Sequence, residues 1–197
     1  MQLNSEPVAQ LFLNPRNVGD AVQPNFTGRS ASFICGAALR ISLHIDESQR
    51  ITEAKFKAAG CSVLVASASL LTERVIGKTT AAAAALGQRP EFIESELGGF
   101  GEGRADCAAL ACTALLSAIA KYSDSVRDEW NGDEALICTC FGVSERTIER
   151  EIQMNRLSTI EDVMRSCNAG AGCRSCYPLI EDILEDCERS KSQMVNS

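Results

Sequence analysis

Two thiol pairs, Cys138-Thr139-Cys140 and Cys173-Arg174-Ser175-Cys176, constrain this chain more than any other feature. Closely spaced thiols that converge in a fold supply four ligands to one soft metal centre. Residues 141 to 172 lie between the pairs. That segment is long enough for two short helices, so the pairs meet only if it folds back on itself. A metal site here is therefore also a statement about folding.

Spacing alone admits two centres, structural zinc and an iron-sulfur cluster, because each accepts four thiolates in near-tetrahedral arrangements. A disulfide pairing would need an oxidising compartment. The chain has ten cysteines among 197 residues, short of the ~8–10% that marks small disulfide scaffolds. Met1 to Asp20 has no basic start followed by an apolar run, and nothing approaches the ~18 consecutive apolar residues of a membrane span. The expected compartment is the cytoplasm, where clustered cysteines stay reduced and bind metal or react. A net charge of −7 and a pI near 4.9 argue against nucleic acid or an anionic membrane as partner, since both demand a basic surface. Protein partners and small ions fit better.

With 45% apolar residues the chain can bury a sizeable core, and its length suits one domain or two. We expect two: a domain over 1–122, a linker over 123–135 and a second domain over 136–197. Ala31 to Ile45 and Ile51 to Ala59 read as an antiparallel strand pair joined by the polar turn Asp46 to Arg50. Helices are predicted over Ser62 to Gly77, where Leu64, Ala68, Leu71 and Val75 share a face, and over Thr79 to Leu86, Pro90 to Leu97 and about Ala105 to Tyr122. Gly98 to Gly103 reads as a loop. Strands followed by helices predict an α+β domain, a small antiparallel sheet with helices packed on one face. Ser123 to Glu134, charged and holding Asn131-Gly132, reads as the linker. The rest predicts a small all-α domain. Ser144 caps one helix, Ser158 and Glu161 form a capping box ahead of another, and Pro178 starts the last. So small a domain has a thin core and relies on a metal or disulfides.

The surroundings of the second thiol pair favour the cluster. Asn168-Ala169-Gly170-Ala171-Gly172 lets the backbone come close to Cys173, and its N–H groups can point at sulfide. Cys176, just ahead of the last helix, brings the positive end of a helix dipole to a dianionic centre. Ile137 to Ser144 and Gly170 to Cys176 together resemble the bacterioferritin-associated-ferredoxin type of [2Fe-2S] domain, as found within NifU proteins. The likeness runs from about Leu136 to Cys187. It implies a permanent [2Fe-2S] cluster on Cys138, Cys140, Cys173 and Cys176. Cys167 and Cys187 fall outside the pattern and read as buried or spare thiols.

Cys35, Cys61 and Cys107 each sit at the end of a predicted element, Cys61 and Cys107 at helix starts, where the dipole lowers a thiol pKa. Alone, three such thiols read equally well as buried cysteines. Asn14 to Gly19, Cys35-Gly36 and Ala59-Gly60-Cys61-Ser62, with Cys107 at the third cysteine, resemble the IscU/NifU-type iron-sulfur cluster scaffold over about Leu11 to Tyr122. The resemblance implies a protein that is not an enzyme. It would build a transient [2Fe-2S] cluster on Cys35, Cys61 and Cys107, from iron and from sulfur given by a cysteine desulfurase, and pass it to apo iron-sulfur proteins. Cys107 would be the persulfide acceptor, and the protein a homodimer, with nitrogen fixation one setting for it.

Several positions depart from that family. Its Cys-Gly-Asp is Cys35-Gly36-Ala37 here, so the carboxylate that helps make the cluster labile is missing, and longer retention is expected. Its His-Cys is Asp106-Cys107, where Asp106 is either an oxygen ligand or a helix cap. Gly98 to Arg104 replaces the Leu-Pro-Pro segment read by a dedicated chaperone, so release of that kind is not expected. The sequence reaches Ser197 without the CxxC domain that completes full-length NifU, and no third cluster site is expected. Cys112, on another face of the Cys107 helix, and His44, on a strand, read as structural. Ala37 and Asp106 also keep open an alternative, a ferredoxin-like electron-transfer or redox-regulatory protein working through the C-terminal cluster. A zinc protein bridging partners is a third reading.

Overall fold

A computed structural model describes residues 5–100, 105–129 and 134–195. They form two compact units, Met1–Tyr122 and Ser123–Ser197.

In the first unit, β1 (Phe26–Ala31), β2 (Ala38–Ile45) and β3 (Ile51–Ala59) make an antiparallel sheet in the order β1-β2-β3. Period-2 alternation orients it: Leu39, Ile41, Leu43 and Ile45 of β2 are buried with Ala54 and Phe56 of β3. The turn after β2 closes where Asp46 N–H donates to Arg50 O at 2.9 Å. Sequence reading began the sheet at Ala31 and missed β1, whose FTGRSA buries only Gly28 and so shows no apolar alternation. It also left unassigned α1 (Glu6–Leu13), which packs on α2 (Ser62–Val75).

Helix α2 is buried nearly all round, Ser67, Ser69 and Thr72 included. The Thr72 hydroxyl donates to Ala68 O at 2.8 Å, satisfying itself inside the helix. α3 (Thr80–Gly87) is capped by Thr79, and α4 (Pro90–Glu96) starts on its proline. The long α5 (Ala105–Glu129) crosses β1 at Gly28. A Cβ on Gly28 would lie 2.0 Å from Ala114 O and 2.4 Å from Ala118 N. Ser30 Oγ and Lys121 Nζ add bonds to Leu110 O and Thr27 O, each 2.7 Å. α5 runs to Glu129, so the expected linker is helical over its first residues. Asn131-Gly132 and Gly101 to Arg104 lie outside the described residues.

The second unit is mainly helical, as expected, with one short two-stranded ribbon added. β4 (Leu136–Cys138) pairs with β5 (Val143–Ser144) around a turn in which Gly142 takes φ 62°. A Cβ there would come 2.1 Å from Val126 Cγ1, so glycine is needed for the turn and for the packing. α6 (Glu145–Asn155), α7 (Ile160–Cys167) and α8 (Tyr177–Val195) follow. Ser144 caps α6 as expected, accepting from Thr147 N at 3.3 Å. The cap of α7 is Thr159 with Asp162, one residue on from the expected Ser158 and Glu161. Thr159 has the extended backbone that a cap requires. Ile148, Ile152, Val163 and Ile180 form the small core. Among the described residues, no helix is long and apolar enough to cross a membrane.

Candidate metal centres and their thiols

In the first unit, two helix starts bring thiols together. Cys61 is the N-cap of α2, in extended conformation, and its side chain makes no capping bond. Cys107 lies in the first turn of α5, 7% exposed. Their Sγ atoms are 3.4 Å apart. Cys35 stands on the loop between β1 and β2, exposed like Cys61. Its thiol pKa is lowered first by the Ser32 hydroxyl and then by a backbone bond at Ala37, while the charge of Asp106 opposes them. Asp106 therefore acts electrostatically on Cys35. It is exposed in the first turn of α5.

The Cys35 and Cys61 loops meet at Ala37 and Gly60. Ala37 is 4% exposed, and a Cβ on Gly60 would lie 3.2 Å from Ala37 Cβ and 2.8 Å from Leu64 Cδ2. Cys112 is apart from this cluster, buried, with burial pushing its thiol up to about 11. His44 Nδ1 is 3.1 Å from Gln23 O.

In the second unit, Cys138 ends β4 and Cys140 follows in the turn, while Cys173 and Cys176 close the loop ahead of α8. Cys140 and Cys173 have Sγ atoms 3.3 Å apart. Cys176 lies near enough to Cys138 to feel its charge. Burial, then the charge of Cys138, pushes the Cys176 thiol up to about 11. Cys173, exposed, is drawn down to about 7, first by the Ser175 hydroxyl at 3.0 Å and also by Cys140. Gly172 makes the approach possible: a Cβ there would sit 2.9 Å from Cys140 Cβ and 3.1 Å from its Sγ. Asn168 and Gly170, at φ 63° and 85°, turn the loop. Cys167 and Cys187 are buried elsewhere, Cys167 bonded to Val163 O at 3.3 Å.

Among the described residues, no three or more His, Cys, Asp or Glu side chains are gathered to hold one metal ion. The C-terminal thiols stand instead as two pairs. Two thiols per iron is the donor set of a two-iron group, and the missing side chain of Gly172 lets the backbone of the Cys173 loop approach Cys140, so these residues fit a [2Fe-2S] cluster. Sequence reasoning missed Ser32 and Ser175. Their only signal was a hydroxyl residue within one turn of a candidate ligand.

Two family models match the chain, a NifU-like N terminal domain over residues 3–128 and a BFD-like [2Fe-2S] binding domain over residues 136–186. The nitrogen fixation protein NifU of Trichormus azollae is 35% identical over 198 residues, covering 95% of this chain and 65% of that protein. NifU of Azospirillum brasilense is 34% identical over 184 residues, covering 92% and 59%. This chain thus spans less than two thirds of those relatives. The iron-sulfur cluster assembly scaffold protein IscU of Haemophilus influenzae is 37% identical over 121 residues, covering 60% of this chain and 94% of that one. Among solved structures, an assembly scaffold protein assigned to the SUF system of Fervidobacterium islandicum AW-1 aligns at TM-score 0.50 and 22% identity, over 59% of this chain and 96% of that one. At that identity the likeness concerns the fold.

Proposed function

The chain belongs to the NifU-like family of iron-sulfur cluster scaffolds, and from this premise we propose that its two units hold clusters for different purposes. The N-terminal unit assembles a labile [2Fe-2S] cluster as cargo on Cys35, Cys61 and Cys107 and passes it to apo-proteins in the cytoplasm. The C-terminal unit keeps a resident [2Fe-2S] cluster on Cys138, Cys140, Cys173 and Cys176. Asp106 is a further oxygen donor to the cargo.

The observation that carries this reading is a difference in exposure: Cys35 and Cys61 of the three N-terminal thiols are exposed, whereas of the four C-terminal thiols only Cys173 is. Cys35 and Cys61 are open to solvent, and Cys61 lies 3.4 Å from Cys107. That suits a site that is loaded and emptied. Cys138 and Cys176 are buried, which suits retention. A cluster bound there supplies a one-electron centre. This chain's residues hold it, with the Ser175 hydroxyl bonded to Cys173 sulfur.

Sulfur reaches the scaffold by exchange with a cysteine desulfurase. The Cys107 thiolate attacks the terminal sulfur of the donor's persulfide; a new S–S bond forms as the donor's S–S bond breaks, and the donor cysteine leaves as a thiolate. Two electrons from an external reductant then release that sulfur as sulfide to iron. The chain is a template, since the C–S bond that frees sulfur is broken by the desulfurase.

The test uses the full chain with iron, a cysteine desulfurase and radiolabelled cysteine, followed by an apo-ferredoxin. Label is expected first on this protein and then in the ferredoxin's cluster, and Cys107→Ser is expected to lose persulfide loading with the C-terminal visible spectrum unchanged. Label that never reaches the acceptor would leave the electron-transfer reading in its place.

A further inference from the structure

Phe33 and Ile34 form the tip of the loop between β1 and β2, and as residues they are 101% and 98% exposed. Scattered apolar side chains on a surface need no explanation, but a large adjacent pair beside a reactive group resembles the anchor of a protein interface. The loop does not let them fold away. Its base is closed by the Ala31–Ala38 strand pair and by Ser32 N–H donating to Ala37 O at 2.8 Å. The next residue is Cys35, so the tip and the exposed thiol are presented together.

The surface behind the tip adds a second observation. On the solvent side of the sheet, Ala31, Ala38 and Ala59 make one cross-strand row, and Arg29, Arg40 and Lys57 make the next. Together they line one shallow groove. Asp20 ties Arg40 to Lys57, whereas Arg29 makes no ion pair among the described residues. On a chain of net charge −7 this is a local cationic rim beside an apolar tip.

We propose that Phe33 and Ile34 anchor the sulfur donor, entering an apolar pocket of that protein whose edge is acidic where it faces Arg29 and Lys57. The inference rests on the scaffold reading above. The placement selects this occupant. Persulfide transfer requires donor and acceptor sulfurs in direct contact, and an anchor one residue from Cys35 holds the donor at the mouth of the thiol cluster.

The test compares two ways of supplying sulfur to the full-length protein. In one, the desulfurase delivers it from radiolabelled cysteine; in the other, inorganic sulfide and iron bypass the donor. The double variant Phe33→Ser/Ile34→Ser alters only exposed side chains. It is expected to assemble a cluster from sulfide at the normal rate while its loading from the desulfurase falls about tenfold or more. Arg29→Glu is expected to slow desulfurase loading at low salt, with the deficit shrinking as salt rises. Normal desulfurase loading of the double variant overturns the inference. So does an equal loss with sulfide, which would make the tip part of the cluster site. A change in oligomeric state would assign the tip to a second copy of the chain, and intact loading with lost delivery to apo-ferredoxin would assign it to the acceptor; either overturns it too. If the unmodified protein forms no N-terminal cluster even from sulfide, the scaffold reading itself fails.

Discussion

At the scale of single residues, the chemistry of this protein is set by how differently its thiols are housed. Cys35 and Cys61 are exposed, and the Ser32 hydroxyl lowers the Cys35 pKa, so Cys35 carries more thiolate near neutral pH than a free cysteine. Cys112 is buried and raised to about 11, and stays a thiol. In metal-free protein, iodoacetamide is expected to label the exposed Cys35, Cys61 and Cys173 well before the buried Cys112, read by mass spectrometry; labelling of Cys112 as fast as Cys35 would contradict this housing. Ala37 is the other informative residue. Its methyl group fills the gap between the Cys35 and Cys61 loops beside Gly60. A carboxylate at that point brings a competing oxygen and water toward the cargo, so Ala37→Asp is expected to speed cluster delivery to apo-ferredoxin severalfold. An unchanged transfer rate would count against that. The C-terminal cysteine pairs were legible because their spacing is local, whereas Cys35, Cys61 and Cys107 stood out only through a family resemblance. Ser32 and Ser175 were not, because a serine becomes a thiol partner only through a loop conformation that spacing does not specify.

At the scale of elements, glycines decide how closely the pieces approach. β1 and α5 meet at Gly28, where any side chain would strike the helix backbone at Ala114 and Ala118. Gly28→Ala must push α5 off the sheet, at about 1–3 kcal/mol or more for overpacking. A melting temperature lowered by several degrees, with weaker desulfurase loading because Cys107 rides on α5, is the expected result; unchanged melting would show that the helix yields freely. This strand was hidden in the sequence for the same reason. β1 buries a glycine where most strands bury a large apolar residue, so its fit to α5 removes the alternation by which strands are read. α2 was easier, since Leu64, Ala68, Leu71 and Val75 mark its face directly, although its burial all round appears only with α1, β3, α3 and α4 packed about it. The short β4–β5 ribbon escaped notice because its turn depends on Gly142 at positive φ, packed against Val126.

At the scale of the whole molecule, two compact units carry two sets of thiols. The C-terminal unit has a core of few large side chains, chiefly Ile148, Ile152, Val163 and Ile180, and domains of that size draw stability from a bound metal. Replacing Cys138 and Cys176 together by serine is expected to remove the resident cluster's visible spectrum and lower the melting of that unit, followed calorimetrically. Sulfide-driven assembly at Cys35, Cys61 and Cys107 should persist. Unaltered melting without the cluster would mean that the apolar core suffices. What the sequence by itself determined is the inventory and its order: which cysteines stand in close pairs, which faces of which helices are apolar, and the net negative charge. All of these are read from neighbours along the chain, where periodicity and spacing act. Only the tertiary structure decided that Cys61 and Cys107 stand 3.4 Å apart, that Cys107 is covered while Cys35 is open, and that Phe33 and Ile34 project beside it. These depend on helix starts and loops brought together from distant parts of the chain, and packing fixes such distances where no local pattern does.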